Sequence, residues 1–393
     1  MIQTCQLDLV LGVLLVVGLI YGLRRGLVRS IFLVAGGFLG VIAAAFTVPL
    51  ISLWVPTAEW RTPATLAASA LLVLAGITLG SSIGVVLRRR LDRTPLRKID
   101  RLLGGMLSSI ATALVLGTAG AGITAIGSPV LSQSIASSVV LSTINDLTPR
   151  PLRSWIADLR FSAVASELPA LAEALNGRTP VIPRLDTDSP QLAKAARSVV
   201  KITGNAYACG QNQTGSGFVV APDRIITNAH VVAGVQRPLV ESAVDGARTG
   251  EVVYFDPVGD VAIIAVRKLA TIPLALAPAL AEGSPAIING FPLGGPFSSH
   301  PASIVSIGAL RVPDIHGKNP TPRTVYTLAA NVQQGESGGP LLDRSGRVAG
   351  MVFAKGATSP DVGFAIAAAD ISAVISTASA RRAEVSSGEC TTG

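Results

Sequence analysis

The stretch GESGGPL, residues 335–341, decides the fold of the C-terminal half of this chain. Glycines on both sides of Ser337 let the backbone turn tightly, because glycine adopts conformations that other residues avoid. The N–H groups of Gly335 and Ser337 can then converge on one point, where they would stabilise a developing oxyanion. Two earlier stretches accompany it: TNAHVV at residues 227–232 and DPVGDVAII at residues 256–264. The three stretches together bring a serine, a histidine and an aspartate to the same half of the chain.

These residue types suit nucleophilic catalysis. A serine hydroxyl is a poor nucleophile at neutral pH and needs an adjacent base, a role that a neutral imidazole can fill. A buried carboxylate then holds the imidazole in the correct tautomer. The chain has three histidines, which limits the candidates for the base. His230 lies in the second stretch, whereas His300 and His316 lie in surroundings that look like loops and carry no motif.

Short β-branched runs, separated by Gly, Pro, Asn and Asp, fill the region from residue 198 onward. Regular short strands with turn signals predict an all-β sandwich or barrel. Examples of these runs are Gly217–Val220, Arg224–Thr227, Gly250–Tyr254, Val261–Val266, Ser284–Ile288, Val325–Ala329, Val348–Phe353 and Val362–Ile366.

The order His, Asp, Ser along the chain is that of chymotrypsin-like proteases. Residues 198–375 resemble the trypsin-like protease family, nearest to the HtrA type in TNAHVV and in GFAI at residues 363–366. The resemblance implies an all-β double-barrel chymotrypsin-like domain that cleaves peptide bonds without a metal or cofactor. His230 would be the general base and Ser337 the nucleophile.

The resemblance also assigns the remaining site residues. Asp260 would be the orienting carboxylate, because the family's aspartate directly precedes an apolar run; Asp256 competes for that role. Gly335 and Ser337 would supply the oxyanion-hole N–H groups. Asn331, six residues before the serine, would lie at the base of the specificity pocket, where an uncharged residue argues against a strict preference for Lys or Arg.

The C-terminal region departs from the family in two respects. Glu336 replaces the commoner Asp or Asn before the serine, which puts activation by a freed N-terminus in doubt. After residue 366 some 27 residues follow, too few for the PDZ domain that HtrA proteins usually carry.

The first third of the chain has a different composition. Charged residues make up 14% of the whole chain and the mean hydropathy is +0.54, too apolar for an ordinary soluble protein. Four apolar segments reach the ~20 residues that a bilayer-spanning helix needs. They are approximately Leu7–Leu23, Ile31–Val55, Ala64–Leu87 and Leu102–Ile126, and they predict a four-span helical membrane domain over residues 1–126.

Basic residues predict the orientation of these spans. Three follow the first span and seven follow the third, whereas the loop between the second and third holds Arg61 alone. Basic short loops stay in the cytoplasm, so both termini and the protease region are expected in the periplasm. No Lys or Arg precedes the first segment, so we expect a retained anchor rather than a signal peptide. The net charge of +8 is concentrated in these loops, which argues against nucleic-acid binding.

The stretch at residues 8–44, which includes YGLRRGLVR at 21–29, resembles the N-terminus of the CvpA (colicin V production) membrane family. The resemblance covers about the first 125 residues. Residues 127–190 would form a partly helical stem, with helix-like spacing at 134–147 and 152–175 and a linker at 180–190. The stem is either a spacer or a helix that docks on the protease domain, residues 191–393, and regulates it.

Cys209 and Cys390 both fall in the region expected to face outward, where disulfides persist. A bridge would close a loop of about 180 residues and would constrain the unfolded chain by roughly 5 kcal/mol. Two free buried thiols are the alternative. No cysteine or histidine spacing resembles a metal site.

Taken whole, the chain resembles the mycobacterial acid-resistance periplasmic serine proteases. That resemblance implies survival in acid and oxidative stress through cleavage of envelope proteins. Its partners would be protein or peptide substrates and the lipid bilayer; the sequence leaves the oligomeric state open. Two other functions compete with an active endopeptidase: a binding module that keeps a protease fold, and a membrane scaffold or secretion factor that acts through its spans.

Overall fold

The N-terminal apolar segments fold into long helices. The computed structural model describes residues 2–54, 58–91, 97–126, 135, 138–149, 151–152, 169–171, 181–187, 189–206, 211–357 and 359–391. It divides into two compact units, residues 1–119 with 139–144 and residues 120–138 with 145–393. The helices of the first unit are α1 (Ile2–Trp54), α2 (Ala58–Leu91), α3 (Arg97–Ile126) and α4 (Val139–Leu147).

Helix α1 carries the first two predicted spans. It is broken at Gly26, whose backbone (φ 74°, ψ 167°) is not helical. Among the described residues, three helices are long and apolar enough to cross a membrane, over Gln6–Ala44, Ala67–Leu87 and Arg97–Gly120. The four predicted segments therefore lie on three helices, and the number of crossings stays a prediction.

The break in α1 is stabilised by a carboxylate from α3. A restarted helix has unpaired N–H groups in its first turn. The N–H of Val28 donates to Oδ1 of Asp100 at 3.1 Å, and Asp100 is 7% exposed. The acid at the start of α3 thus provides a partner that the helix itself lacks.

Small residues bring the helices of the first unit together. A Cβ atom added at Gly36 would clash with the carbonyl oxygen of Gly76 on α2, and one at Gly80 would clash with the carbonyl oxygen of Phe32. A Cβ atom at Gly22 would clash with the carbonyl oxygen of Gly104 on α3. Small residues at these positions let the helix backbones approach closely, as is common between helices in a membrane.

Asp8, the acid at the edge of the first predicted span, has a structural partner. Its carboxylate oxygens accept the N–H groups of Val139 and Val140, at 3.2 and 3.3 Å, in the first turn of α4. A carboxylate there also interacts favourably with the helix dipole.

The second unit is built mainly of strands. They are β1 (Ala170–Leu171), β2 (Val199–Ala206), β3 (Gln211–Ala221), β4 (Arg224–Thr227), β5 (Leu239–Ser242), β6 (Gly246–Thr249), β7 (Glu251–Asp256), β8 (Val261–Ala265), β9 (Pro285–Gly290), β10 (Ser298–Val312), β11 (Thr321–Ala329), β12 (Pro340–Leu342), β13 (Val348–Gly356) and β14 (Val362–Ala367). Helices α5 (Pro190–Ala196), α6 (Ala229–Val232) and α7 (Ala368–Thr377) accompany them, with 3₁₀ turns at Pro292–Gly294 and Ala378–Ala380.

These strands form two curled sheets. One has the order β6-β5-β2-β3-β4-β8-β7. The other has the order β1-β13-β12-β9-β10-β11-β14, and a further pairing of β13 with β14 closes it into a barrel. The largest apolar cluster contains Phe218 and Ile263 from the first sheet and Phe353 and Phe364 from the second. The core therefore joins the two sheets and fixes the loops that meet at their junction.

The predicted all-β architecture of this region is confirmed, and each run named from the sequence lies within an observed strand apart from a residue or two at its ends. Strands β2, β5, β6, β10 and β12 are not among the runs named from the sequence. Strand β10 is the largest omission, because serines, a glycine and a proline interrupt its apolar pattern over 15 residues.

The stem prediction is partly wrong. Helix α4 lies within the predicted helix at residues 134–147, but Ala170 and Leu171 form a strand inside the predicted helix at 152–175. Strand β1 pairs in parallel with Lys355 and Gly356 at the end of β13. Parallel pairing satisfies backbone groups that a two-residue segment cannot satisfy alone. Residues 153–168 and 172–180 lie outside the described residues.

Candidate active site

The imidazole of His230 contacts the carboxylate of Asp260. His230 lies on α6, directly after β4, and its Nδ1 is 3.0 Å from Oδ1 and 2.9 Å from Oδ2 of Asp260. The backbone N–H of His230 also donates to Oδ1, at 3.0 Å. Asp260 is 4% exposed. A buried carboxylate at Nδ1 favours the tautomer with its proton on that nitrogen, which leaves Nε2 free to accept another.

The backbone around Asp260 aims its side chain at His230. Asp260 has a positive φ of 53°, immediately before β8, and its carbonyl accepts Nδ2 of Asn228 at 2.9 Å. The competing acid, Asp256, makes different contacts. Its Oδ1 accepts the N–H groups of Val258 and Gly259, at 3.0 and 2.9 Å, and so closes the turn between β7 and β8.

Ser337 lies between β11 and β12 of the other sheet and is 2% exposed. Its carbonyl accepts the N–H of Ser216 on β3, at 2.8 Å. The next residue, Gly338, has a φ of 82°, and a Cβ atom there would clash with the carbonyl oxygen of Ser216. A glycine is therefore required at 338 for conformation and for space. Within the described part of the chain, Ser337 Oγ has no hydrogen-bond partner.

One cavity of about 330 Å³ contains all three residues. His230 and Asp260 reach it from one sheet, and Ser337 and Gly335 reach it from the other. Strand β1 also lines this cavity, so part of the predicted stem lies beside the candidate site. Lys355 and Ala357 donate their N–H groups to the carbonyls of residues 169 and 171, at 3.0 Å each.

Residues 333–337, here called the oxyanion loop, begin with a tight turn. The N–H of Glu336 donates to the carbonyl of Gln333 at 3.2 Å, and Gly335, the third residue of the turn, has a φ of 88°. A positive φ at that position is the requirement of a type II turn. Gly335 and Ser337 both line the cavity, and their role as oxyanion donors stays a prediction.

Asn331 is not part of this cavity. It is exposed, and its Oδ1 accepts Nε2 of Gln333 at 3.4 Å. It is absent from the residues that line the cavity around Ser337. Its role in specificity stays a prediction.

A buried acid-imidazole pair lies behind the oxyanion loop. Glu336 is fully buried; its Oε2 accepts the N–H of Gln333 at 2.8 Å, and its Oε1 lies 3.4 Å from Nδ1 of His300. Burial raises the pKa of Glu336 to about 8 and lowers the pKa of His300 to about 4. Both groups therefore favour their uncharged forms near neutral pH.

The expectation that His300 lies in a loop is wrong, because it lies on β10.

This pair predicts a pH dependence of stability. Between pH 6.5 and 8 the folded protein keeps the Glu336 proton that the unfolded chain, with a pKa near 4.5, has lost. The free energy of unfolding should therefore fall as the pH rises, by about 1.4 kcal/mol per pH unit and about 2 kcal/mol in all. Between pH 4.5 and 6.5 His300 has the opposite effect, since only the unfolded chain protonates its imidazole, and the two contributions cancel.

Urea denaturation of the C-terminal unit at several pH values, followed by circular dichroism, measures this dependence. Glu336→Gln keeps the shape of the protonated carboxyl and cannot titrate, so it should remove the loss of stability above pH 6.5. An unchanged pH slope in Glu336→Gln would contradict the assignment.

Sequence reasoning missed Arg323. It lies on β11, is 6% exposed and lines the same cavity. Its Nη2 donates to the carbonyls of Val258 and Pro313, the latter at 3.2 Å. Burial lowers the pKa of Arg323, while nearby carboxylates, first among them Asp260, oppose that effect. No sequence motif marks this arginine.

Cys390 is disulfide-bonded. It lies beside Gly234, where a Cβ atom would come 2.6 Å from its Sγ, so the C-terminal tail packs next to the segment that follows α6. Cys209 lies outside the described residues, and the pairing of Cys209 with Cys390 stays a prediction. Among the described residues, no cluster of three or more His, Cys, Asp or Glu side chains could hold a metal ion.

Comparison with known proteins accounts for both halves of the chain. Residues 215–351 match the trypsin-like peptidase domain, and residues 7–149 match the colicin V production protein family. Serine protease Rv3671c of Mycobacterium tuberculosis is 34% identical over 397 aligned positions, which cover 98% of each chain. The chain belongs to the Rv3671c (MarP) family of serine proteases. It is therefore a trypsin-like serine protease, and its substrates are peptides or proteins.

Two further similarities agree with this family. The crystal structure of the Rv3671c protease from M. tuberculosis in its active form covers 55% of this chain and 97% of its own, with 38% identity and a TM-score of 0.51. The putative serine protease HhoB of Synechocystis is 27% identical over 253 residues, 60% of each chain. The CvpA-like and trypsin-like resemblances read from the sequence are confirmed, as is the enzyme class.

Proposed function

We propose that this protease hydrolyses peptide bonds through Ser337, His230 and Asp260. The observation that supports this most is the double contact of Asp260 with Nδ1 and the backbone N–H of His230, in a cavity that also contains Ser337. Asp256 is the weaker candidate for the carboxylate, because its Oδ1 is engaged by the turn at Val258 and Gly259.

The reaction follows from these positions. Ser337 Oγ attacks the scissile carbonyl carbon as its proton moves to Nε2 of His230, while Asp260 stabilises the imidazolium. Collapse of the tetrahedral intermediate breaks the C–N bond, and the proton passes from His230 to the departing amine. Water, deprotonated by His230, then attacks the acyl-enzyme, and release of the acid regenerates the Ser337 hydroxyl.

The oxyanion would be bound by the N–H groups of Gly335 and Ser337. Each peptide in the oxyanion loop is trans and planar, so its N–H points away from its C=O. The carbonyl of Gln334 accepts the N–H of Leu293, and the carbonyl of Glu336 accepts the N–H of Gly339 at 2.9 Å. The N–H groups of Gly335 and Ser337 therefore point in the direction opposite to these carbonyls, away from Leu293 and Gly339. One such donor is typically worth about 3 kcal/mol of barrier.

We also propose that the protease acts in the periplasm, on envelope proteins, and supports survival in acid and oxidative stress. The basic residues after the first and third spans support this orientation. The bonded state of Cys390 is in keeping with an oxidising compartment and with the proposed Cys209–Cys390 bridge. Helices α1 to α3 would anchor the enzyme in the bilayer.

Cleavage of an unfolded protein tests the proposed function. Full-length chain in detergent should degrade casein, with fragment termini that appear over time in mass spectra. The Ser337→Ala variant, purified identically, should yield no fragments. Binding of casein without fragments in the wild type would favour a binding module. Rescue of a stress phenotype in cells by residues 1–126 alone would favour a membrane scaffold.

A further inference from the structure

We propose that the hydroxyl of Ser216 is a positioning group for the oxyanion hole. This inference rests on the proposed function, because it assigns a role in the reaction at Ser337. Ser216 lies on β3, in the sheet opposite to the one that carries the oxyanion loop, and is fully buried. Its hydroxyl bonds to backbone groups of Gly335 and Phe291, so its effect would be exerted through the loop.

The Ser216 hydroxyl makes two hydrogen bonds. Its Oγ donates to the carbonyl of Gly335 at 2.7 Å and accepts the N–H of Phe291 at 2.9 Å. The single Ser216 hydroxyl thus provides a hydrogen-bond partner for a carbonyl of the oxyanion loop and for the N–H of Phe291, in the segment that packs on this loop. A Cβ atom at Gly335 would lie 2.5 Å from the carbonyl oxygen of Phe291, so the loop packs closely against that segment.

Three successive carbonyls of the oxyanion loop are held, each by a different donor. Those of Gln334 and Glu336 accept backbone N–H groups, from Leu293 and Gly339. The carbonyl of Gly335, between them, accepts the side chain of Ser216. The Gly335 carbonyl shares its planar peptide with the N–H of Glu336, which donates to the carbonyl of Gln333 and so closes the turn. Rotation of that carbonyl would break the turn, and the Gly335 N–H would no longer be held in its direction. Ser216 is therefore the member of this set that substitution can remove.

Loss of the hydroxyl leaves two buried polar groups without a partner. Such groups are costly to bury unpaired, so the loop is expected to rearrange until the Gly335 carbonyl finds another donor. The outcome is an oxyanion hole that is correctly formed in a small fraction of molecules. Removal of a whole oxyanion donor lowers kcat by about 100- to 1000-fold, which sets the upper limit for an indirect effect.

Ser216→Ala should lower kcat on a reporter peptide by about 10- to 100-fold and change KM by less than about threefold, since ground-state binding does not use the oxyanion hole. Ser216→Cys keeps a weak donor of similar shape and should recover part of the loss. The matched control is Ser198→Ala, which removes a buried hydroxyl that donates to the carbonyl of Ile272 at 2.7 Å, away from the cavity. It should keep kcat within about twofold.

A second measurement separates positioning from general destabilisation. A peptide trifluoromethyl ketone forms an oxyanion on Ser337, so its affinity should fall in proportion to kcat/KM in Ser216→Ala, whereas the affinity of a product peptide should not change. All assays use the full-length chain in detergent, at a temperature at which each variant is folded by circular dichroism.

Several results would overturn the inference. Unchanged kcat in Ser216→Ala with an active wild type would refute the role of Ser216 but not the proposed function. Equal losses of kcat in Ser216→Ala and Ser198→Ala would do the same. A Ser216→Ala protein that is unfolded while Ser216→Cys is folded with no loss of kcat would also refute it. A wild type without turnover refutes the proposed function and this inference with it.

Discussion

Ser337→Ala is expected to lower kcat by roughly a million-fold, the loss found when a serine nucleophile is removed from a protease triad. The physical reason is that the substitution removes the proposed nucleophile, whose cavity also contains the His230 imidazole that Asp260 orients. KM should change little, because the substituted atom contributes to bond formation rather than to ground-state binding. Steady-state cleavage of a fluorogenic peptide by full-length chain in detergent measures both quantities.

The matched control is Ser376→Ala, on the exposed face of α7, where the hydroxyl donates to the carbonyl of Ala373 within its own helix. It should retain full kcat. Residual activity above about one percent in Ser337→Ala, in protein expressed apart from any active copy, would show that another residue attacks the peptide bond.

Asp260→Asn is expected to lower kcat by about ten thousand-fold near neutral pH. The asparagine amide would place an NH₂ group or its carbonyl against Nδ1 of His230, in the position where two carboxylate oxygens now lie at 2.9 and 3.0 Å. When the NH₂ group faces Nδ1, the imidazole proton is forced onto Nε2, which can then no longer accept the proton of Ser337. Folding should be retained, because the side chain keeps its size.

Asp256→Asn provides the comparison, since the sequence alone left Asp256 as a competitor. Asparagine can still accept the N–H groups of Val258 and Gly259 through Oδ1, as Asp256 does. We expect kcat within about threefold of the wild type. A larger loss in Asp256→Asn than in Asp260→Asn would reverse the assignment of the carboxylate.

The parts of the fold that are local in sequence could be predicted. Strands with β-branched runs, such as Val261–Ala265 and Val362–Ala367, can be recognised from their composition. The three motifs contain the residues that their turns require. Strand β10 could not be predicted in this way, because its residues are held by β9 and β11 on either side rather than by their own propensities.

The membrane segments illustrate a different limit. Apolar length identified four segments, but it could not show that the first two share one helix that bends at Gly26. The bend is stabilised by Asp100, 72 residues further along the chain than Val28. A contact of that kind leaves no periodic pattern in the sequence.

The groups that surround the candidate site were the hardest to foresee. No sequence motif marks the roles of three of them, His300, Arg323 and Ser216. Each acquires its role from a partner far away in the chain. Glu336 was visible as a departure from the family pattern, but its partner was not. The fold brings β10 behind the oxyanion loop. Glu336 is therefore paired with the imidazole of His300 rather than with a freed N-terminus.

Labelling with a fluorophosphonate tests whether Ser337 is an activated nucleophile, because the probe reacts with a serine only when a base activates its hydroxyl. The full-length chain, with its disulfide intact, would be treated in detergent, digested and mapped by mass spectrometry. We expect a single adduct, on the peptide that contains Ser337, and its loss in both Ser337→Ala and His230→Ala. An unlabelled wild type, or an adduct that persists in Ser337→Ala, would contradict it.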